Sequence, residues 1–144
     1  MFTSVTTRAA SAYKRVGIET SVAGADSHQL INLLFDALLQ TIGVARDAMG
    51  RKDIAAKGQA ICKAVRILDE GLKGALNEES GGEIASNLAA LYDYCCTRLT
   101  QANLNNDDAM LLEVQRLIEP VASAWKLIGT KGPAYLQPVQ AAGV

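Results

Sequence analysis

Histidine, proline and aromatic side chains are all scarce in this 144-residue chain, which has one histidine, three prolines and only 5% aromatic residues. The lone histidine, His28, has Ala25 three places before it. That excludes the paired Glu-x-x-His motifs from which helical bundles build di-metal centres. The cysteines, Cys62, Cys95 and Cys96, form no C-x-x-C pair and are odd in number. Zinc-ligand spacing is therefore missing, and the thiols read as small apolar groups of a reduced compartment. No excess of one charge exists either, with 14 basic against 15 acidic residues. Phosphate neutralisation by Lys and Arg dominates nucleic-acid affinity, so a nucleic-acid ligand is not expected. The segment from Met1 to Val16 lacks the apolar core of a signal peptide, and no uncharged apolar run approaches membrane-spanning length. The expectation is a cytoplasmic protein without stable membrane insertion.

What the chain does have is Ala and Leu in quantity, within a composition that is 49% hydrophobic. With few strand-favouring residues, these predict helices. Asp26-Ser27-His28-Gln29 reads as a capping box opening a first long helix, with Ile31, Leu34, Leu38, Ala45 and Met49 on one stripe. Leu30, Leu33, Ala37 and Val44 add a second, and Gly50 is the expected stop. Asp53 caps the next helix, whose stripe Ile54, Gly58, Ile61, Val65, Leu68, Leu72 and Ala75 runs beside Ala60, Ala64, Ile67, Gly71 and Gly74. Glycine inside a helix costs about 1 kcal/mol against alanine, so Gly71 and Gly74 predict the close approach of another backbone.

A third helix opens after Ser80-Gly81-Gly82-Glu83, with Ile84, Leu88, Leu91, Cys95, Leu99 and Ala102 as its core face. Asn105-Asn106-Asp107 turns into a fourth, burying Leu111, Val114, Leu117, Val121, Trp125 and Ile128. Pro120 predicts a kink or restart within it. Short connections make successive helices antiparallel, so the expected fold is all-α, an up-down-up-down four-helix bundle with a short N-terminal helical flap. The expected organisation is a mobile N-terminal segment over 1–20, the bundle over 21–130 and a flexible tail over 131–144.

Catalytic signals are missing. The chain offers no Gly-rich phosphate loop, no G-x-S-x-G elbow and no inward carboxylate pair. His28 as a phosphate acceptor is disfavoured by its place in the first helical turn, followed by Gln29, Leu30 and Ile31; a surface or capping role is expected instead. The chain is read as a binding protein, not an enzyme, without catalytic residues, cofactor or metal. The two apolar stripes on each of the first two long helices have two readings. Either a wide core buries both, or one lines a groove for an amphipathic partner helix.

The motifs themselves resemble the flagellin-specific flagellar export chaperone family, FliS. The string GGEIASNLAALYDY, from Gly81 to Tyr94, carries most of the resemblance, followed by Arg98, Leu99 and Gln101 to Leu104. HQLINLLFD from His28, AAKGQAICKAVRILDEGLKGAL from Ala55, Ala124-Trp125-Lys126 and Ala12-Tyr13 extend it over nearly the whole chain. The family commonly has Ser-Pro before the histidine where this chain has Asp26-Ser27, and both solutions start a helix. The resemblance implies a cytosolic chaperone that binds the disordered C-terminal segment of flagellin, blocks premature polymerisation and delivers its cargo to the flagellar type III export gate. On that basis the groove is expected at Leu30, Leu34, Ile61, Ala64, Ile67, Leu68, Leu91 and Tyr94. A flap carrying Val5, Ala9, Tyr13 and Val16 would cover it when empty, with Tyr13 as anchor. The alternative is a general helical adaptor for another secretion cargo.

Overall fold

The computed structural model describes residues 5–15 and 26–128, apart from the side chains at 5–7, 13, 78 and 80. The described residues are helical throughout: α1 (Val5–Arg15), α2 (Ser27–Gly50), α3 (Ile54–Arg66) running on into a π-helical segment (Ile67–Leu72), α4 (Glu78–Asn105) and α5 (Asp108–Ile128). Side-chain pairs fix the directions. His28 at the start of α2 meets Trp125 at the end of α5, while Arg46 near the end of α2 pairs with Asp108 at the start of α5. Lys57 early in α3 reaches Asn103 late in α4, and Arg98 of α4 reaches Glu113 of α5. The neighbouring long helices are thus antiparallel, and together they form the expected bundle.

The starts are where the residue types place them. The Asp26 carboxylate accepts the Gln29 amide at 2.8 Å while the Asp26 amide donates to the Gln29 side chain at 2.9 Å, a complete capping box. Asp53 accepts the Ala56 amide at 3.1 Å. The ends fall where expected, at Gly50 and at Asn105, but no glycine makes the turns. Gly50 is the last helical residue of α2, but the left-handed turn that follows is made by Lys52, with φ 61°. The Asp53 amide closes that turn on the Ala48 carbonyl at 2.9 Å. Asn106, with φ 50°, does the same after α4, where Asn tolerates the conformation better than most residues. Gly82, with φ 60° and ψ −137°, divides α4 into a first turn and a long continuation, so the main helix begins close to the predicted point. Pro120 causes no restart: α5 runs through it, with the ring on the exposed face.

Lys57 sits only 4% exposed among the core residues, with no carboxylate against it among the bonds that hold it. Its ammonium donates to the Asn103 carbonyl at 3.0 Å and to the Asn106 side-chain oxygen. A cation from α3 thereby caps the carbonyl end of α4, where the helix dipole is negative. Lys57→Met keeps the aliphatic stem and leaves those oxygens without a donor. The expected cost is about 1–3 kcal/mol in urea denaturation; a change within error would mean that water replaces the ammonium at no loss.

The double stripes of the first two long helices are resolved by number of neighbours. α2 packs on α1, α3 and α5, while the π segment packs on α1, α2 and α4. Each therefore needs a face wider than one seam. The π segment widens it further, since its five-residue bond, Lys73 amide to Leu68 carbonyl at 2.8 Å, lets Ile67, Leu68, Gly71 and Leu72 all turn inward.

Candidate partner-binding surface

Six of the nine residues expected to line a groove lie in the closed core: Leu30, Leu34, Ile61, Ala64, Ile67 and Leu68 are each at most 2% exposed. They belong to one packed cluster with Phe35, Leu38, Tyr92 and Leu99. Leu91 is partly buried at the edge of that cluster, and Tyr94 is 44% exposed. The side chain of Tyr13 lies outside the described residues. The structure therefore brings most of the expected set together, but as core, with only Leu91 and Tyr94 at an open surface.

Apolar side chains form a trough between α4 and α5, while Val44, Ile54, Leu104 and Leu127 stand exposed elsewhere. Ile84, Leu88 and Leu91 follow the i, i+4, i+7 rule on the side of α4 that carries Arg98, which reaches Glu113 on α5. Antiparallel pairing from that point sets them opposite Leu117, Val121 and Ile128. Ile84 is 53% exposed and Ile128 37%, while Leu88, Leu91, Leu117 and Val121 are half-buried. Periodicity assigned all six to the core. The core positions are instead one residue on: Ala85, Ala89 and Tyr92 in α4, Ile118 and Ala122 in α5. The overlooked signal is size. Ala85 and Ala89 let α4 approach its neighbours closely, which pushes the larger side chains at 84 and 88 out to the flank.

A polar bar closes one end of the trough. Arg98 Nε donates to Glu113 Oε1 at 2.7 Å, and the Tyr94 hydroxyl donates to the other carboxylate oxygen. The hydroxyl's hydrogen bond, joined by Arg98, holds the Glu113 carboxyl below its usual range, and the same bond holds the Tyr94 phenol above its own. All three groups are therefore in their ordinary neutral-pH states.

At the opposite corner of the bundle, His28 is buried and stacks on Trp125 with ring centroids 4.8 Å apart. The indole Nε1 donates to the His28 carbonyl at 3.1 Å, and His28 Nε2 donates to the Trp125 carbonyl at 2.6 Å. Asn32 Nδ2 lies 3.3 Å from the other ring nitrogen, Nδ1. The histidine is thus a clasp between α2 and α5, not the surface or capping residue that its sequence position suggested. Cys62 is exposed, whereas burial pushes the Cys95 thiol up to about 12 and the Cys96 thiol up to about 11. Cys95 and Cys96 are accordingly packing groups. Among the described residues no cluster of His, Cys, Asp and Glu is placed to hold a metal ion, and no helix is long and apolar enough to cross a membrane.

α1 lies over α2 and the π segment, burying Ala9 and Ala12. Its ends are tied by arginines. Arg8 Nη1 donates to the Leu76 carbonyl at 3.3 Å and Arg15 Nη2 to the Glu70 carbonyl at 3.4 Å, while Arg66 donates to the Arg15 carbonyl. Gly74 makes room for this. A Cβ there would lie 2.8 Å from Arg15 Nη2 and 2.2 Å from the Glu70 carbonyl oxygen, so the crowding comes from a side chain and the segment's own preceding turn, not from another backbone.

Residues 9–132 match a family described as flagellar protein FliS. The flagellar secretion chaperone FliS of Salmonella typhimurium is 48% identical over 120 residues, covering 83% of this chain and 89% of that protein. The Pseudomonas aeruginosa flagellar secretion chaperone FliSB is 44% identical over 118 residues, 82% of this chain and 93% of the relative. The Escherichia coli flagellar secretion chaperone FliS is 41% identical over 115 residues, 80% and 85% of the two chains.

Proposed function

The chain belongs to the FliS family, and from that premise we propose that it is a cytoplasmic chaperone that binds the disordered C-terminal segment of flagellin and hands it to the flagellar export gate. The observation that supports the reading is the α4–α5 trough, where six large apolar side chains stay exposed or half-buried along one seam. Ile84, Leu88 and Leu91 on one wall, facing Leu117, Val121 and Ile128, present the i, i+4, i+7 anchors into which an amphipathic helix packs. Leu91 and Tyr94 belong to this surface. The second contact region is the face beneath α1.

A segment that folds as it binds can bury about 1,000–3,000 Å² and lose several kcal/mol to ordering. That balance gives firm but reversible capture. The flap weakens capture by whatever its own docking is worth, about 1.5–3 kcal/mol for one large buried side chain. Occupied in this way, the flagellin segment cannot pair with other flagellin subunits before export.

Calorimetric titration with the C-terminal segment of the same organism's flagellin tests the reading. Saturable one-to-one binding with a negative heat-capacity change is expected, and Leu88→Glu is expected to weaken it at least about tenfold by placing a carboxylate in the trough. A folded wild-type sample that shows no heat at tens of micromolar would return the function to an adaptor for another secretion cargo.

A further inference from the structure

Among the described residues Lys57 is the one buried member of the Lys, Arg, Asp and Glu set. An ammonium carries three N–H donors. Two are taken by the Asn103 carbonyl and the Asn106 side-chain oxygen, and no ion pair among the described residues includes this lysine. A buried cation lacking a counter-charge is costly, so an anion brought to it gains more than one at the open surface. The third donor has a place to act. Lys57 lines a cavity of about 340 Å³ at the end of the bundle where α2, α3 and α4 meet. Ala48, Met49 and Ile54 make its wall largely apolar, and Lys52 adds a second cation. The carboxylate there, Asp53, is committed elsewhere: it accepts the Ala56 amide at 3.1 Å and pairs with Arg51 at 3.5 Å. No residue of the α4–α5 trough lines this cavity.

From this we infer that the cavity binds the C-terminal residue of a partner polypeptide, with the free carboxylate on Lys57 and an apolar side chain against Met49 and Ile54. The unmatched cation selects a carboxylate, and the wall beside it selects an apolar group. The cavity lies at the low end of the range of about 300–1,000 Å³ for small-ligand sites, so both groups must come from one residue. An internal Asp or Glu carries its carboxylate at the side-chain tip with no apolar group beside it. A terminal Leu, Ile or Val carries both on one Cα. The site rests on Lys57 and the cavity, not on the trough or on the flagellin reading.

Titration of the isotope-labelled full chain, followed by amide chemical shifts, tests the site with three probes. N-acetyl-leucine copies a C-terminal residue, N-acetyl-leucinamide removes its charge, and N-acetyl-glutamic acid α-amide offers an acidic side chain instead. Saturable shifts confined to residues 48–57 and 103–106 are expected from N-acetyl-leucine in the millimolar range, the affinity open to so small a ligand. The other two probes should bind about tenfold more weakly or worse. Ile54→Glu alters an exposed side chain of the wall and leaves the core alone; it should weaken N-acetyl-leucine about tenfold while the spectrum stays native. Lys57→Met should bind acid and amide alike, and Ile54→Glu keeps the test decisive if that variant does not fold. Equal binding of acid and amide by the wild-type chain would overturn the inference. So would tighter binding of the glutamate probe, wild-type affinity in Ile54→Glu, or no saturable shift in the millimolar range. Flagellin is in none of these samples, so a failed flagellin titration leaves the result intact.

Discussion

Trp125→Ala is expected to lower unfolding stability by about 3–5 kcal/mol, the range for removing a large buried aromatic. Trp125 is 3% exposed, and its loss does more than open a cavity. It removes the His28 stack and strips the His28 carbonyl of its indole donor, at the very end where α5 holds α2. Trp125→Phe separates the contributions, because it keeps a ring against the imidazole and deletes only the N–H. That variant should recover a substantial part of the loss. A guanidinium titration followed by helical circular dichroism reads both; a Trp125→Ala cost below about 1 kcal/mol would mean that the α2–α5 corner is held by other contacts.

The second large effect separates core from surface among the residues that sequence reasoning had grouped together. Leu34 is fully buried on α2, so Leu34→Ala should cost about 2–5 kcal/mol. Leu88, half-buried on the trough wall, should lose well under that when cut to alanine, yet weaken the flagellin segment measurably. The crossed pattern is the test. If Leu34→Ala leaves the denaturation midpoint in place while abolishing binding, Leu34 lines a cargo site and the closed core described above opens readily.

Much of this molecule was legible before any coordinates. Asp26 and Asp53 cap the helices they were expected to cap, because a short carboxylate beside an unpaired amide is a local interaction. Helix order and antiparallel packing followed from short connections. The misplaced features are all non-local. Whether Ile84 or Ala85 faces inward depends on how near α3 and α5 come, and adjacent residues of a helix differ by only a fraction of a turn. His28 was placed at the surface because its partner, Trp125, lies 97 residues away. The π segment has no sequence signature of its own; it arises where one helix must present a face to three others. For the same reason the wide apolar faces of α2 and α3 could not be divided between core and groove until α1 was seen lying on them.

The seat of α1 also fixes an order of events during synthesis. Arg8 waits for a carbonyl 68 residues downstream, and Arg15 for one 55 residues downstream. At about 5–20 residues per second, α1 spends several seconds outside the ribosome before the stretch it docks on has been made. It crosses that interval as a short, basic peptide, with no acidic residue in its first turn and Lys14 and Arg15 at its end. The α2–α3 hairpin, joined by only three residues, can close in the meantime without it. α1 is thus translated before its seat exists, and it can dock only once the chain has been made as far as Leu76.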